Sequence, residues 1–539
     1  MIAQGEVMSR STLLALPVVA LSFAFLAGCG GGSGVTRGVA PPTGAFSNSN
    51  LNGTYVFSAS GTDSSGGPYA MVGNFKANGS GAISGGALDI NDQLSGTIPD
   101  ASITSSNYSV GADGRGQATL QISGISGLSS ITLDFVLQDS AGGLVTEFDG
   151  FGSGSGTLDL ASSGATPTGT YAFIMSGVYG GSTSGGGSTL STVGNFAVGS
   201  GGAISGLEDF NLNGIVSADQ TLSGTVVVGP SATPMSSLTA GSFALTYDVF
   251  PVSAGHLKLI EMDTKGTLSG DAYTQSSTAM PTGTMAFTLV GGIASSIAAG
   301  GFLVTDGSGN ITTASSLDVN NNGTVTNGVG FSGTYTAGGT GRFTLGNLTG
   351  FVGSSFAAYP SAGGVLLLEI DNSGLLMGAA FPQTSGTTFT AAQGYGLNLS
   401  GVNPNSSSFG TGSPVEVDDI AEFTANSSGA TVSGVIDENY APGGGPNFAL
   451  QLSGTYTPPD STGRGTISAN AGNNNNSTLN GGFGLTFYSV DGTTFPFIET
   501  DNSGQVAGGV FVEQNSSGSA SAKRAHLFIL QSPVRPSHR

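Results

Sequence analysis

Four pairs of carboxylates recur along this 539-residue chain and are its most obvious candidates for chemistry. They follow a Glu-x-Asp spacing: Glu147/Asp149, Glu261/Asp263, Glu369/Asp371 and Glu499/Asp501. On a β-strand, residues two apart share a face and their Cα atoms lie about 6.5–7 Å apart, a separation that invites an acid-plus-nucleophile reading. Glycosidases, however, present their carboxylates from opposite sides of the scissile bond. Here each pair sits on one strand entering a glycine-containing turn. The plainer expectation is that Asp opens the turn while Glu partners an arginine or backbone amides. Arg115, Arg342 and Arg464 supply one such arginine in three of the four copies, with Lys258 or Lys265 as substitutes in the second.

A second signature, Asp-x-Asn, precedes each pair: Asp89/Asn91, Asp209/Asn211, Asp318/Asn320 and Asp437/Asn439. Two copies extend it, to Asp209, Asn211 and Asn213 before Gly214, and to Asp318, Asn320 and Asn322 before Gly323. That is the first half of an EF-hand calcium loop, in which oxygens at alternate positions converge on the ion. The second half fails, because the twelfth position holds Gln220 or Val329 where a glutamate is needed. Asx side chains also bond their own backbone, and Asn-Gly favours a hairpin turn. These six residues are therefore candidate calcium ligands with a turn as the competing reading, and no other cofactor is indicated.

Other reaction classes lack parts. His256, His526 and His538 are not equivalent between copies, so no copy repeats a histidine base. Zinc would need His or Cys clusters. The serines have no base to activate them, and the Gly-x-Gly strings precede no helix that would bind phosphate. An enzyme would require one copy to hold a carboxylate set that the others lack, and the sequence displays none. Tyr55, Tyr171, Tyr335 and Tyr456 are possible sugar-stacking rings, but at strand starts they read as core residues.

The elements that position these residues are organised by one phrase, VGNFKANGSGAISGGALDIN at residues 72–91. It returns at residues 193–211, 300–320 and, more loosely, 421–439, at intervals of roughly 110–120 residues, which defines a four-copy array. The copies span residues 51–163, 167–277, 281–387 and 389–517. Each is read as about eight short strands separated by Gly/Asn/Asp/Ser turns, with almost no helix. The fold class is therefore all-β. Sequential strands with short turns favour an eight-stranded up-and-down barrel, because closure leaves no exposed edge; a two-sheet sandwich is the alternative.

Composition narrows the setting. Glycine accounts for 93 residues and only 8% are charged, yet 38% are hydrophobic, and 30 Phe and 13 Tyr fall at recurring places, which is not how a disordered linker is written. A net charge of −21 argues against a nucleic-acid partner. One cysteine excludes a disulfide framework. Residues 1–29 carry Arg10, an apolar run too short to span a bilayer comfortably, and then Leu26-Ala27-Gly28-Cys29. Glu6 is out of place in such a leader, so Met8 is an alternative start.

That ending resembles the lipobox of bacterial lipoproteins. The resemblance implies that Cys29 is lipidated and that the protein is exported to the outer membrane or cell surface, with the lipid as its membrane partner. Residues 30–50 then form a flexible tether, and residues 518–539 a C-terminal tail. The whole also resembles uncharacterised Gly-rich tandem-repeat lipoproteins, which implies no activity. Finally, the rhythm G-T-Y-x-F followed by G-x-F-x-x-x-G-x-G-x-I-x-G is similar to calycin barrels of the avidin and lipocalin type. That implies a barrel fold and no particular binding residues, since the avidin-like tryptophans are absent. The expected role is a non-catalytic structural or binding surface protein, the alternatives being a hollow small-ligand-binding array or a calcium-stabilised adhesin. Ligand and extracellular partner stay open, as does whether the copies pack together or hang as beads.

Overall fold

The computed structural model describes residues 46–163, 167–180, 187–226, 233–240, 243–293, 295–384, 392–404, 414–443, 445–472 and 482–517. Cys29, residues 30–45 of the expected tether and the tail lie outside them; residues 46–50, expected to belong to the flexible tether, are instead ordered, with Phe46 buried and Asn48–Asn50 forming a 3-10 turn. The described chain is all-β, its helical content limited to two three-residue 3-10 turns, Asn48–Asn50 and Ser200–Gly202. No described helix is long and apolar enough to cross a membrane.

The second, third and fourth copies are closed eight-stranded antiparallel barrels with strands in sequential order. In each, the first strand pairs with the last: Gly169–Tyr179 with Gly266–Thr274, Gly283–Gly291 with Leu376–Pro382, and Gly394–Asn403 with Val506–Glu513. The first copy, whose first strand is Asn52–Asp63 and last Gly152–Leu160, has nine strands where eight were expected. Its fourth strand is broken into Gly96–Ile103 and Ser106–Val110, both of which still pair with the strands on either side. The counterpart in the third barrel runs unbroken over 16 residues, Thr324–Gly339.

Alternation along the strands explains the interiors. Tyr55 and Phe57, two apart on one strand, both point inward, are fully buried and pack against Phe75 of the second strand. Tyr171, Phe173 and Phe196 repeat this cluster in the second barrel, and Tyr395 stacks on Phe423 in the fourth. Two of these buried phenols bond across their barrels: Tyr55 donates to the Ser140 carbonyl and Tyr171 to that of Ala254, each at 2.7 Å. Tyr335 and Tyr456 are buried too, so none of the four tyrosines presents a ring for sugar stacking. Glycine is needed where the wall bends sharply: a Cβ on Gly86 or Gly206 would lie 1.9 or 1.8 Å from the carbonyl oxygen of Asn74 or Asn195 across the ladder.

The best-filled interior is that of the fourth barrel, where Phe511 contacts the rings of Tyr395, Phe423, Phe487, Phe495 and Phe497 at centroid distances of 4.7–6.2 Å. Phe511→Ala should therefore lower unfolding free energy by about 3–5 kcal/mol, read from denaturant midpoints. A loss below about 1 kcal/mol would mean the ring is not a core element.

Candidate functional site: the four seams between barrels

The Asp-x-Asn signatures lie on the third strands, Ala82–Asp92, Ala203–Leu212, Asn310–Asn321 and Thr431–Ala441. In every barrel the ladder to the fourth strand slips at the aspartate, giving a β-bulge. The slip places one residue in the left-handed region, namely Asp100, Asp219, Gly328 and Ala449, with φ of 53°, 57°, 66° and 51°. The N–H freed there is accepted by Oδ1 of Asp89, Asp209, Asp318 and Asp437 respectively. The signature thus builds a local feature first, because a freed backbone donor inside a wall must find an acceptor.

The arginines correct the expected pairing. They bind the bulge aspartate of the preceding barrel, not the Glu of their own copy. Arg342 forks onto Asp209, with Nε 2.8 Å from Oδ2 and Nη2 2.6 Å from Oδ1, and the Tyr359 hydroxyl donates to the same carboxylate at 2.5 Å. Arg464 and Tyr488 treat Asp318 in the same way, at 2.8, 3.0 and 2.7 Å. Arg115, in the first barrel, reaches back to Asp437 of the fourth at 2.8 Å and also pairs with Asp113.

The asparagines join the two acidic signatures. Asn211 Nδ2 donates to the carbonyls of Glu369 and Gly374, the two ends of the Glu-x-Asp turn in the next barrel. Asn320 does so to Glu499 and Gln505, Asn91 to Glu261 and Gly266, and Asn439 to Glu147 and Gly152. The second barrel follows the first, the third the second, the fourth the third, and the first follows the fourth. The barrels close into a ring.

Three of the four seams repeat further bonds. Gln275, Gln383 and Gln514, just after a last strand, each donate to two carbonyls of the next barrel. The first copy has Ala161 at this place. Outward-facing apolar side chains complete the seams. One buried cluster, including Ile174, Tyr359, Phe302, Tyr488, Val510 and Val136, draws on all four barrels. A separate one, Val56, Ala70 and Val72 against Phe250, Val252 and Ile260, fills the seam between the first and second.

Within the Glu-x-Asp turns the aspartate caps backbone. Asp149, Asp263, Asp371 and Asp501 each accept one N–H two residues on and another from the strand alongside. Against burial, which raises it, the bonds from Ser373 and Ser354 hold Asp371 down at about 2. The glutamates are buried instead, and Glu261 Oε2 accepts from Asn91 of the first barrel at 2.7 Å. Glu147, Glu261, Glu369 and Glu499 are all at most 1% exposed, and burial pushes Glu369 and Glu499 up to about 8 and Glu261 to about 10. Neither carboxylate oxygen of Glu147 has a hydrogen-bond partner. Burial raises all four, Glu147 included, and no arginine is paired with them among the described residues.

The two lysines separate. Lys265 pairs with Asp263 at an exposed turn, whereas Lys258 is wholly buried between the first two barrels, 3.2 Å from Asp159 and 3.5 Å from Asp271.

The six candidate calcium ligands are directed elsewhere. Asp209 and Asp318 bind guanidinium. Asn211 and Asn320 bridge carbonyls and accept the N–H of Gly214 and Gly323 through Oδ1. Asn213 and Asn322 occupy left-handed hairpin corners at φ 49° and 51°. Among the described residues, no group of three or more His, Cys, Asp or Glu is arranged to hold a metal ion. Asn211→Ala should strand two buried carbonyls and cost about 1–3 kcal/mol in thermal or denaturant unfolding; an unchanged midpoint would refute the bridging role.

One copy does hold carboxylates that the others lack. In the fourth barrel Asp419 and Glu438 face each other across adjacent strands and point inward near Glu499, all three buried and each with an unpartnered oxygen. The equivalent positions are Met71 and Ile90 in the first barrel and Ala299 and Val319 in the third. Sequence reading missed them because no motif marks inward-facing acids; alternation against Val417, Ala421 and Phe423 was the available signal. It also missed Tyr359 and Tyr488, whose hydroxyls bond aspartates of the preceding barrel, and the buried Asp134, which accepts from Gln117 of its own copy at 2.8 Å.

The core of the third barrel leaves little space. The cavity described inside the third, lined by Phe287, Phe331, Phe351 and Phe356 among others, measures about 20 Å³, too little for an organic ligand. A recess of about 590 Å³ opens at the mouth of that barrel, with Leu317, Val319, Val329, Phe351 and Val352 inside and Asn321, Asn322, Thr324 and Thr326 around the rim.

No family model matches this chain, and no curated protein matches it. Among solved structures it is similar to transferrin binding protein B (TbpB) of Haemophilus parasuis, at 10% identity, and of Neisseria meningitidis, at 12%, each with a TM-score of 0.18. The aligned parts cover 69% of this chain in both cases and 82% and 84% of those chains. An intact Ap-TbpB with N and C lobes aligns over 89% of this chain and 99% of its own, at 10% identity and a TM-score of 0.16. Similarity at this level carries no argument about what the present chain binds.

Proposed function

We propose that the protein is a non-catalytic binding or scaffold module, lipidated at Cys29 and displayed on the outer membrane or cell surface. The observation that carries this reading is the ring itself. The repeated Asp-x-Asn residues, the Glu-x-Asp aspartates and turn carbonyls, and the arginines are all engaged in turns or seams, so the repeated polar residues build a rigid body. Both ends of the described chain meet at one seam: Asn50 Nδ2 donates to the Ser516 carbonyl at 2.9 Å, and Phe46 is buried beside it. A tether leaving at that point would hold the whole ring by a single attachment, with hairpin tips and the third barrel's mouth free for an extracellular partner.

The anchor is tested by Cys29→Ser in cells: the variant should move from the membrane fraction to the soluble exported fraction, and the wild type should be cleaved by protease added to intact cells. Retention of the variant in membranes, or full protection of the wild type, would overturn the reading. The ring is tested separately by solution scattering. A compact body of this size should give a radius of gyration of about 23 Å, whereas four beads on linkers would scatter as a far more extended particle.

A ligand-binding role survives in altered form. The core of the third barrel is too tightly packed for a calycin-like ligand, but the apolar recess at its mouth offers an open site whose Thr/Asn rim suits a small ligand with an apolar body. Saturable binding of an apolar fluorescent probe, abolished by Val329→Arg with folding retained, would support it; unaffected binding would remove it.

A further inference from the structure

The seam between the first and second barrels lacks two bonds that the other three repeat. Ser242 stands at the sequence position of the arginine, and Ala161 at that of the glutamine. This seam holds instead a buried ionic cluster built around Lys258, on the strand His256–Glu261. Lys258 lies three residues before Glu261, and the residues three before Glu147, Glu369 and Glu499 are Leu144, Leu366 and Pro496. Its cross-strand neighbour is Asp271, where the other copies have Thr157, Ala379 and Val510. Charges occupy the place of an apolar contact, although a buried ion pair is often no more stabilising than the apolar residues it replaces.

The geometry of the cluster is specific. Lys258 is 0% exposed, and its Nζ lies 3.2 Å from Asp159 Oδ2 and 3.5 Å from Asp271 Oδ1. Nζ donates to the hydroxyls of Thr157 at 2.5 Å and Ser58 at 3.2 Å. The Thr157 hydroxyl in turn donates to Asp159 Oδ2 at 3.0 Å, so one hydroxyl bridges the amine and the carboxyl. Behind Asp271, His256 Nε2 lies 2.6 Å from Oδ1, and the imidazole stacks on Tyr273. The Asp159 side chain is 4% exposed and that of Asp271 18%. Burial works against the Lys258 ammonium, but Asp271 and Asp159 outweigh it and hold the amine above its usual value. The starting state is therefore an ion pair, fixed against one carboxylate and beside a second, where solvent does not reach.

We propose that Lys258 and Asp159 condense to an amide, an isopeptide cross-link between the first and second barrels. Groups held at contact distance in one orientation react as if at very high concentration. Burial favours the change as well, because two desolvated charges become one neutral amide. Asp271 takes one ammonium proton, which frees the nitrogen lone pair to attack Cγ of Asp159. The C–N bond forms while the Thr157 hydroxyl bonds a carboxyl oxygen on which charge develops. The proton on Asp271 and a second from the nitrogen pass to the departing oxygen, the C–O bond breaks, and water leaves. Ammonium and carboxylate thus give amide and water, with no oxidant, reductant or co-reactant. Asp159 is the acceptor because it is closer, more deeply buried and bonded by Thr157, whereas Asp271 is bonded to His256. The link closes a loop containing nearly the whole second barrel, which restrains the unfolded chain, and it secures the one seam without the arginine and the glutamine.

The test takes the full chain purified from cells, denatures it, digests it with a protease that cuts after glutamate, and reads the fragment masses. Cuts at Glu147, Glu208 and Glu261 release residues 148–208, with Asp159, and residues 209–261, with Lys258. In the wild type these two fragments should appear joined, at the sum of their masses less one water, with the branch sequenced to Asp159 and Lys258. In Lys258→Arg, which keeps the charge, they should separate at their own masses, and the folded variant should melt below the wild type. Asp271→Asn should leave most chains unjoined while still folded; undiminished joining there would overturn its part as proton carrier. Separate fragments at full mass in the wild type would overturn the proposal and leave Lys258 as a buried ion pair. Joined fragments in Lys258→Arg would also overturn it, by placing the link on other residues.

Discussion

Arg342→Ala should destabilise the protein by about 3–5 kcal/mol, the range for removing one partner of a buried ion pair. Asp209 is 0% exposed and Arg342 is itself buried, so deletion of the guanidinium leaves a carboxylate with the Tyr359 hydroxyl and one backbone N–H as its remaining partners. Arg464→Ala should cost less, because the Arg464 side chain is 29% exposed and water can replace part of its interaction with Asp318. Urea unfolding of the two variants would show this order. Equal and negligible losses would mean that the seams are held by apolar contact alone. The double variant Asp209→Asn/Arg342→Met should recover part of the loss, since the uncompensated charge is then absent.

Alkali should destabilise this protein over a range where most soluble domains are indifferent. Burial holds Glu369 and Glu499 up at about 8, from an ordinary value of 4.5. Glu208, Glu422 and Glu438 are also raised to about 8, with burial as the first cause in each. The folded state therefore binds protons that the unfolded chain has released. The stabilisation is fully present below the unfolded value of 4.5 and is lost progressively as pH rises from there through about 8. Each such group contributes a slope of about 1.4 kcal/mol per pH unit across that window, so even one acting alone is measurable. Melting temperature should fall steadily between mildly acidic and mildly alkaline buffer, and Glu499→Gln, which keeps the shape and removes the proton, should flatten the fall. A profile that rises with pH over this window would show that these acids are ionised in the fold.

Barrel closure follows from alternation and turn chemistry, both of which act within a few residues. Tyr55 and Phe57 lie two apart and so share a face; Asn78-Gly79-Ser80-Gly81 reverses the chain; four copies of this grammar are visible by inspection. The split fourth strand of the first barrel was not visible, because the break at Thr104 and Ser105 carries no proline or glycine. The arginines were recognisable as ion-pair formers from their recurrence, but their partners were assigned to the wrong signature. Asp209 and Arg342 are 133 residues apart, and Arg115 and Asp437 are 322 apart, and no local rule selects between Asp and Glu at such distances.

The sequence by itself determined most strands, the turns and the four-copy register, since each depends on residue type and short spacing. The tertiary structure decided that the copies close on one another and that the two acidic signatures meet across seams. Outward-facing apolar side chains such as Val72, Ile174, Phe250 and Tyr359 alternate with the core residues, and nothing local says whether such faces meet water or another barrel. Which they meet depends on how four separately closed walls pack, a property of surfaces assembled from residues more than a hundred positions apart.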